Sequence, residues 1–263
     1  MEQFEFKKKF GQNFLTDKNL LASIVEKSGA MSGDVVVEIG AGKGALTEEI
    51  AKQAEKVFAF EIDNDLVEFL TEKFENTNVN LIFEDVMKFD DDKLNEIVGG
   101  KFKLVANLPY YVTSPILTRF LQNDNLESVT VMVQEEVADR IVASPKTKDY
   151  GVLTVICQMF GDAKKVLRVN RKMFYPVPNV DSAVVRIDKN KKVDVEFSKF
   201  IAFVKRAFTM RRKKLSANLE SGKMKKADIE SLLQENGFSA LVRAEELSVE
   251  DFEKLYKLFC DKI

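Results

Sequence analysis

The chain has 263 residues, 45% of them hydrophobic and 31% charged, as in a globular protein with one large domain or one domain and a small appendage. It has no histidine and only two cysteines, which excludes His-dependent triads and argues against a metal site. No apolar run approaches the ~18 residues of a membrane-spanning helix and no secretory signal is expected, so we expect a cytoplasmic protein with reduced thiols. The net charge of −2 does not by itself indicate a nucleic-acid ligand.

An N-terminal arm precedes any regular element. Residues 7–15 read Lys-Lys-Lys-Phe-Gly-Gln-Asn-Phe-Leu. Gly11 and the amide side chains of Gln12 and Asn13 favour an ordered loop whose polar groups reach a ligand. A solvated arm is the alternative, and these residues alone leave it open.

A glycine-rich loop follows the first apolar strand pattern, residues 34–39, and opens a helix. The second strand pattern, residues 57–60, ends at Glu61, about 20 residues beyond the loop, where a carboxylate can accept hydrogen bonds from a ribose diol. Read as Gly40, Gly42 and Ala45, the loop fits NAD. Read as Glu38 followed by three alternating glycines, it fits the first motif of S-adenosylmethionine-dependent methyltransferases. The loop leaves both cofactors open.

Asp85 ends the third strand pattern, residues 79–83. Because parallel strands end at the same edge of a sheet, we expect Asp85 to lie beside Glu61. There it could accept a hydrogen bond from an exocyclic amine of adenine. The alternative is that Asp85 is a helix cap for the segment that follows, residues 90–92.

The stretch Asn107-Leu108-Pro109-Tyr110 ends a further buried strand. An amide and an aromatic ring held together at a strand's carboxyl end suit a planar base. Phe174 and Tyr175 open a proline-containing loop that could form the second wall of a slot for that base. The alternatives are a strand-ending turn with a core tyrosine, and a Phe174 that belongs to the core.

Residues 189–192 read Lys-Asn-Lys-Lys and mark the expected boundary between a domain of residues 1–188 and a helical domain of residues 189–263. The second domain contains a cluster of cations with no acid among residues 205–214, which favours contacts with RNA phosphates over a merely solvated helix face. These cations are Lys205, Arg206, Arg211, Arg212, Lys213 and Lys214.

Together these motifs resemble the ribosomal RNA adenine dimethyltransferases. The resemblance rests on residues 9–15, 38–44, 61–63, 84–85, 107–110 and 176–182. Residues 208–215, Phe-Thr-Met-Arg-Arg-Lys-Lys-Leu, look like the motif of the small-subunit (16S rRNA, kasugamycin-sensitivity) branch. The other branch modifies large-subunit RNA and confers macrolide resistance. Two departures from the small-subunit pattern are Asn179, where a lysine is expected, and Lys214, where a threonine is expected.

The resemblance implies a Rossmann-like, class I S-adenosylmethionine methyltransferase domain with a small C-terminal helical domain. It implies N6,N6-dimethylation of two adjacent adenines in the 3′-terminal hairpin loop of 16S rRNA, in the small ribosomal subunit or its precursor. A monomer is expected, with no membrane partner and no metal. A non-catalytic assembly factor is the alternative from another class.

The resemblance also implies roles for individual residues. The residues expected to act on the target adenine are Asn107, Leu108, Tyr110 and Phe174. The residues expected to bind the cofactor are Gln12, Asn13, Leu15, Gly40, Gly42, Glu61, Ile62, Asp85, Val86 and Asn107.

Overall fold

The computed structural model describes residues 14–15, 17–108 and 112–259. Within them the chain forms two compact units. The first comprises the described residues up to 138 together with 162–190, and the second comprises 139–161 together with the described residues from 191 onward.

Residues 139–161 belong to the second unit, whereas the sequence analysis assigned them to the first domain. The segment is tied to the C-terminal helices by polar and aromatic contacts. The Lys146 N–H donates to the Glu245 carbonyl at 2.7 Å, and the Arg211 guanidinium donates to the Thr147 carbonyl at 2.8 Å. The buried Tyr150 ring lies 6.2 Å from the Phe208 ring, measured between centroids. These partners are distant in sequence, so the apolar pattern of the segment could not identify them.

A seven-stranded sheet forms the centre of the first unit. Its strands are β2 Val35–Ile39, β3 Lys56–Phe60, β4 Val79–Ile82, β5 Phe102–Asn107, β6 Leu126–Gln134, β7 Gly161–Val169 and β9 Ser182–Lys189. They lie in the order β4-β3-β2-β5-β6-β9-β7; neighbouring strands from β4 through β6 pair in parallel, and β9 pairs antiparallel with β6. A separate antiparallel pair joins β1 Phe14–Leu15 to β8 Phe174–Tyr175.

Helices flank these strands along the chain of the first unit, and their ends follow from local sequence. The Asp17 side chain accepts from the Leu20 N–H at 3.0 Å at the start of the first helix, and Gly29, with φ of +66°, ends it. The helices are α1 Lys18–Ser28, α2 Ala45–Ala51, α3 Val67–Lys73, α4 Asp91–Val98, α5 Thr113–Phe120 and α6 Glu135–Val142, of which α6 continues into the second unit.

The second unit is helical. Its core is formed by the apolar faces of amphipathic helices, and Phe200, Val204, Leu233, Phe252 and Phe259 are fully buried. The helices are α7 Val152–Gln158, α8 Phe197–Ala207, α9 Leu215–Leu219, α10 Lys226–Glu235 and α11 Val249–Phe259. Over the described residues, no helix has the length and apolar character that crossing a membrane requires.

The strand sequences explain why the sheet is central. Val36, Val37, Val57, Leu104 and Val105 are fully buried, as expected for parallel strands that are covered on both faces. Parallel pairing also aligns the carboxyl ends of β2, β3, β4 and β5 at one edge. The residues that follow these strands are the ones that the sequence analysis assigned to the cofactor and the target base.

Candidate functional site at the carboxyl edge of the sheet

The glycine loop after β2 takes a conformation that favours glycine at three positions. Gly40, Gly42 and Gly44 have φ angles of +81°, +55° and +71°. At Gly44 a Cβ atom would also lie 2.5 Å from the Phe74 ring. The Gly40 N–H donates to the carbonyl of Phe60 at 2.8 Å, which holds the loop against the end of β3. Gly40 is exposed and Gly42 is half-buried, so a ligand can approach the backbone at these two positions, as a nucleotide-binding turn requires.

Glu61 is held in place by three backbone N–H groups. One carboxylate oxygen accepts from the Gly42 N–H at 2.7 Å, and the other accepts from those of Ile62 and Asp63, both at 2.8 Å. The residue is only 4% exposed. A carboxylate has about four acceptor positions, so Glu61 retains capacity for a ligand hydroxyl. The geometry fits the predicted role, in which this fixed acceptor binds the ribose diol of an adenosyl cofactor.

Asp85 follows β4, and it does not cap the segment of residues 90–92 as the alternative interpretation expected, because Asp90 has that role. The Oδ1 atom of Asp85 instead accepts from the Met87 N–H at 2.9 Å, which caps a short 3₁₀ turn. Val86 is buried in this turn, and Ile62 exposes its apolar side chain beside Glu61. The cap fixes the Asp85 carboxylate but does not use all of its acceptor positions. The residue therefore remains suited to an adenine amine as well.

Asn107 is the last residue of β5, and the structure brings it next to the glycine loop. Its carbonyl oxygen is the nearest atom to the position that a Cβ atom on Gly40 would take, at 3.9 Å. The parallel register, in which Glu38 aligns with Val105, accounts for this proximity. Leu108, which follows, is buried. Tyr110, Gln12 and Asn13 were also predicted to belong to the site and lie outside the described residues.

Phe174 and Leu15 occupy the small two-stranded sheet. Leu15 aligns with Phe174 across the strand pair, and both side chains belong to the apolar core of the first unit. Phe174 is only 4% exposed, whereas Tyr175 is 65% exposed. The structure thus gives Phe174 the core position that the alternative interpretation described. Tyr175 presents the more accessible ring beside it.

Sequence reasoning missed two cations that hold the site's loops. The Lys73 ammonium, on α3, donates to the carbonyls of Lys43 and Gly44 at 3.1 and 3.2 Å, at the end of the glycine loop. The Arg119 guanidinium, on α5, donates to the Val86 carbonyl in the turn after Asp85. Both residues lie in ordinary helical patterns. Their partners are backbone carbonyls, which carry no sequence signal.

Glu38, the acid of the glycine motif, is buried in β2 beside this edge. Burial raises the pKa of its carboxyl from the ordinary 4.5 to about 8; the Thr47 hydroxyl opposes that shift, the Glu61 charge adds to it, and the Lys73 ammonium opposes it. Its Oε2 atom has no hydrogen-bond partner among the described residues. Glu38 is therefore protonated at neutral pH.

We predict that Glu38 makes the ligand-free protein less stable as the pH rises. Because the folded state binds this proton more tightly than the unfolded state, the free energy of unfolding falls as pH rises from about 4.5 to about 8 and is then constant. The Glu38→Gln variant should lose this pH-dependent part of the free energy of unfolding. The Glu55→Gln variant, changed at an exposed position, should keep it. Thermal denaturation across this pH range measures both. An unchanged pH profile in Glu38→Gln would contradict the prediction.

The predicted RNA-binding cations of the second unit divide into two groups. Arg206 donates to the carbonyls of Asn218 and Glu220 at 3.2 and 2.7 Å, Arg211 pairs with Glu245 at 2.7 Å, and Lys214 lies 3.7 Å from Glu230. These three residues support the fold of the unit. The other three, Lys205, Arg212 and Lys213, are exposed.

Comparison with known proteins gives consistent results over nearly the whole chain. A family model described as ribosomal RNA adenine dimethylase matches residues 3–261. The chain is 43% identical to a ribosomal RNA small subunit methyltransferase A of Clostridium acetobutylicum over 259 residues, 96% of this chain and 93% of that protein. It is also 43% identical to the protein of the same name of Bacillus licheniformis over 267 residues, 96% of this chain and 90% of that one.

Solved structures confirm the Rossmann-like α/β fold. A dimethyladenosine transferase from Plasmodium falciparum superposes with a TM-score of 0.79 at 24% identity, covering 95% of this chain and 98% of the other, and at this identity the likeness shows the fold alone. The 23S rRNA methyltransferase ErmE superposes with a TM-score of 0.70 at 28% identity, covering 93% of this chain and 98% of the other.

Proposed function

The chain belongs to the ribosomal RNA adenine dimethylase family, and on that premise we propose that it dimethylates N6 of two adjacent adenines in the 3′-terminal hairpin loop of small-subunit (16S) rRNA. The observation that carries the proposal is the combination of 43% identity to small-subunit methyltransferases with a glycine loop that meets Asn107 at the sheet edge. The presence of both the glycine motif and Asn107 favours an active enzyme over a non-catalytic assembly factor. The proposed enzyme acts as a monomer in the cytoplasm, on the small subunit or its precursor.

S-adenosylmethionine supplies an electrophilic methyl group when bound. In the proposed arrangement Glu61 binds the ribose hydroxyls, Asp85 accepts from the adenine amine, and the loop of Gly40 and Gly42 lies against the rest of the cofactor. Ile62 and Val86 give the adenine apolar surroundings. Glu61, Asp85, Gly40 and Gly42 all lie at one edge of the sheet, which supports this assignment.

The adenine N6 amine is a weak nucleophile because its lone pair is delocalised into the ring. We propose that the Asn107 side-chain oxygen and the Leu108 carbonyl accept its two hydrogens, so that the lone pair points at the methyl group. Transfer would form the N–C bond as the sulfonium S–C bond breaks, with S-adenosylhomocysteine as the leaving group, and the alkylated amine would then lose a proton to water. Positioning and electrostatics then lower the barrier without a strong general base, in keeping with a chain that has no histidine.

The target adenine must leave its stack before it reaches this site. We propose that Tyr110 and Phe174 hold it, with a stacking contribution on the order of 1–3 kcal/mol for each base. Exposed Lys205, Arg212 and Lys213 of the second unit would contact RNA phosphates. Arg206 and Arg211 support these contacts indirectly, because they fix the segments on which the exposed cations lie.

Phe174→Leu separates stacking from core packing. Leucine retains an apolar side chain in the core position but cannot stack, so we expect methyl transfer to fall about tenfold and the free energy of unfolding to fall by about 1 kcal/mol. Phe102→Leu is the matched control, because Phe102 is also buried and lies at the amino end of β5. Steady-state transfer rates and thermal denaturation measure the two effects. Equal transfer by the two variants would remove Phe174 from the site.

The likeness to ErmE keeps the large-subunit branch as the alternative substrate. The two are distinguished by incubating the purified protein with labelled S-adenosylmethionine and either unmethylated small ribosomal subunits or protein-free large-subunit rRNA. The proposal predicts label in the small subunit only. Label in the large-subunit RNA alone would move the protein to the other branch and contradict the proposal.

A further inference from the structure

Five cations with no acid among them lie within residues 164–172, in the first unit. We call Lys164, Lys165, Arg168, Arg171 and Lys172 the basic edge, because the first three belong to β7, the edge strand of the sheet. All five residues are exposed, and the side chain of Arg168 is 72% exposed. Lysines on an edge strand prevent sheets from pairing with one another. That role does not account for Arg171 and Lys172, which follow the strand.

Among the described residues, Glu135 and Asp181 pair with the basic edge, and both connect it to the loop after Phe174, since the Glu135 N–H donates to the Asp181 carbonyl at 3.0 Å. Glu135 pairs with Lys165 at 2.9 Å and with Arg168 at 3.1 Å. Asp181 lies 3.7 Å from the Arg168 guanidinium and accepts from the Arg171 N–H at 3.0 Å. Within the described part of the chain, the five cations of the basic edge outnumber these two carboxylates, which leaves an excess of positive charge.

The basic edge is joined directly to the loop that carries the aromatic residues of the site. The Arg171 guanidinium donates to the Asn179 carbonyl at 3.0 Å, which ties the loop back to the basic edge. Lys172 precedes Phe174 by two residues, so their Cα atoms are at most about 7 Å apart.

The same loop exposes apolar side chains, those of Tyr175, Val177 and Val180. Cations beside accessible aromatic and apolar side chains are the composition of surfaces that bind unpaired RNA.

We infer that the basic edge is a second RNA-binding surface, which holds the phosphate backbone next to the nucleotide whose base enters the site. The inference rests on the proposed function for the identity of the RNA. It adds an RNA contact on the methyltransferase unit to the cations of the helical unit. A nucleotide displaced from its stack exposes its own phosphates, and the basic edge supplies their counter-charge beside Phe174 and Tyr175.

Lys164→Gln/Lys172→Gln tests the inference, because the described part of the chain gives neither side chain an ion pair. The matched control is Lys27→Gln/Lys101→Gln, which makes the same change of charge in exposed lysines, each 3.7 Å from a glutamate. The probe is a fluorescent RNA with the terminal hairpin of small-subunit rRNA. Its dissociation constant is measured by anisotropy at several salt concentrations. S-adenosylhomocysteine affinity and thermal stability are measured alongside.

We expect the Lys164/Lys172 variant to bind the RNA about tenfold more weakly. The slope of the logarithm of the binding constant against the logarithm of the salt concentration should decrease in magnitude by roughly 0.7 to 0.9 for each phosphate that the variant no longer neutralises. Cofactor affinity and stability should not change. A slope equal to that of the control variant would overturn the inference. Lys164 would then only protect the edge of the sheet from pairing with another sheet. Because binding is measured without methyl transfer, an inactive wild-type protein would contradict the proposed function while the slopes still decide this inference.

Discussion

Asn107→Ala is expected to lower the rate of methyl transfer about 10²- to 10³-fold, the reduction typical of removing one preorganised polar group from a reacting centre. The Asn107 side chain has no hydrogen bond to another described residue, so its removal leaves no buried partner unsatisfied. Thermal stability should therefore stay near that of the wild type. The S-adenosylhomocysteine dissociation constant, measured by calorimetry, should change much less than the transfer rate.

Asn190→Ala is the control, because Asn190 is an exposed asparagine whose side chain donates to Asp162 at 3.1 Å and to no other described residue. It should transfer methyl groups at the wild-type rate. Wild-type turnover by Asn107→Ala would remove this residue from the mechanism. A large decrease of cofactor affinity with unchanged turnover at saturation would instead make Asn107 a cofactor ligand only.

Glu61→Gln is expected to weaken cofactor binding about 100-fold, a change that corresponds to one or two charge-assisted hydrogen bonds. The carboxylate accepts three backbone N–H groups and has an acceptor position left for the ribose. An amide in its place directs its own N–H₂ group at one of these donors. The Gly42 N–H then loses its partner or the loop shifts, and both outcomes disturb the cofactor's position. Calorimetry with S-adenosylhomocysteine measures the change.

Glu38→Gln is the matched control for this change, since both glutamates are buried, Glu38 in β2 and Glu61 directly after the neighbouring strand β3. Glu38 is already neutral at pH 7 because its pKa is raised to about 8, so an amide replaces a neutral acid of the same shape. Cofactor affinity should change only a few-fold. Equal effects of the two substitutions would show that charge at Glu61 is not what binds the ribose.

Much of the first unit could be predicted because its strands are apolar runs that end at glycine or at a polar residue. The apolar run from Val35 to Ile39 predicts a buried strand that leads into a glycine loop, and the structure has both. The motif of residues 107–110 could be predicted for the same reason, because it follows the apolar run of a buried strand. The order of the strands in the sheet depends on which strands pair. The sequence gives the spacing of the strands along the chain, but it does not give the register in which they pair.

What the sequence could not provide is the identity of distant partners. Six cations of residues 205–214 are equivalent in the sequence, but Arg206 and Arg211 bind carbonyls and a carboxylate of their own unit. The apolar residues of segment 151–160 indicate that the segment is buried, but they do not indicate which helices it packs against. The burial that sets the pKa of Glu38 likewise depends on the folded sheet.

The central claim is tested most directly by the nucleosides that the enzyme produces. Small ribosomal subunits with unmethylated rRNA would be incubated with the protein and S-adenosylmethionine, and the RNA would then be digested and resolved by mass, with the modified positions mapped by reverse transcription. The proposed function predicts N6,N6-dimethyladenosine at two adjacent positions of the 3′-terminal hairpin loop. Dimethyladenosine at any other position, or no dimethyladenosine in these subunits, would contradict it.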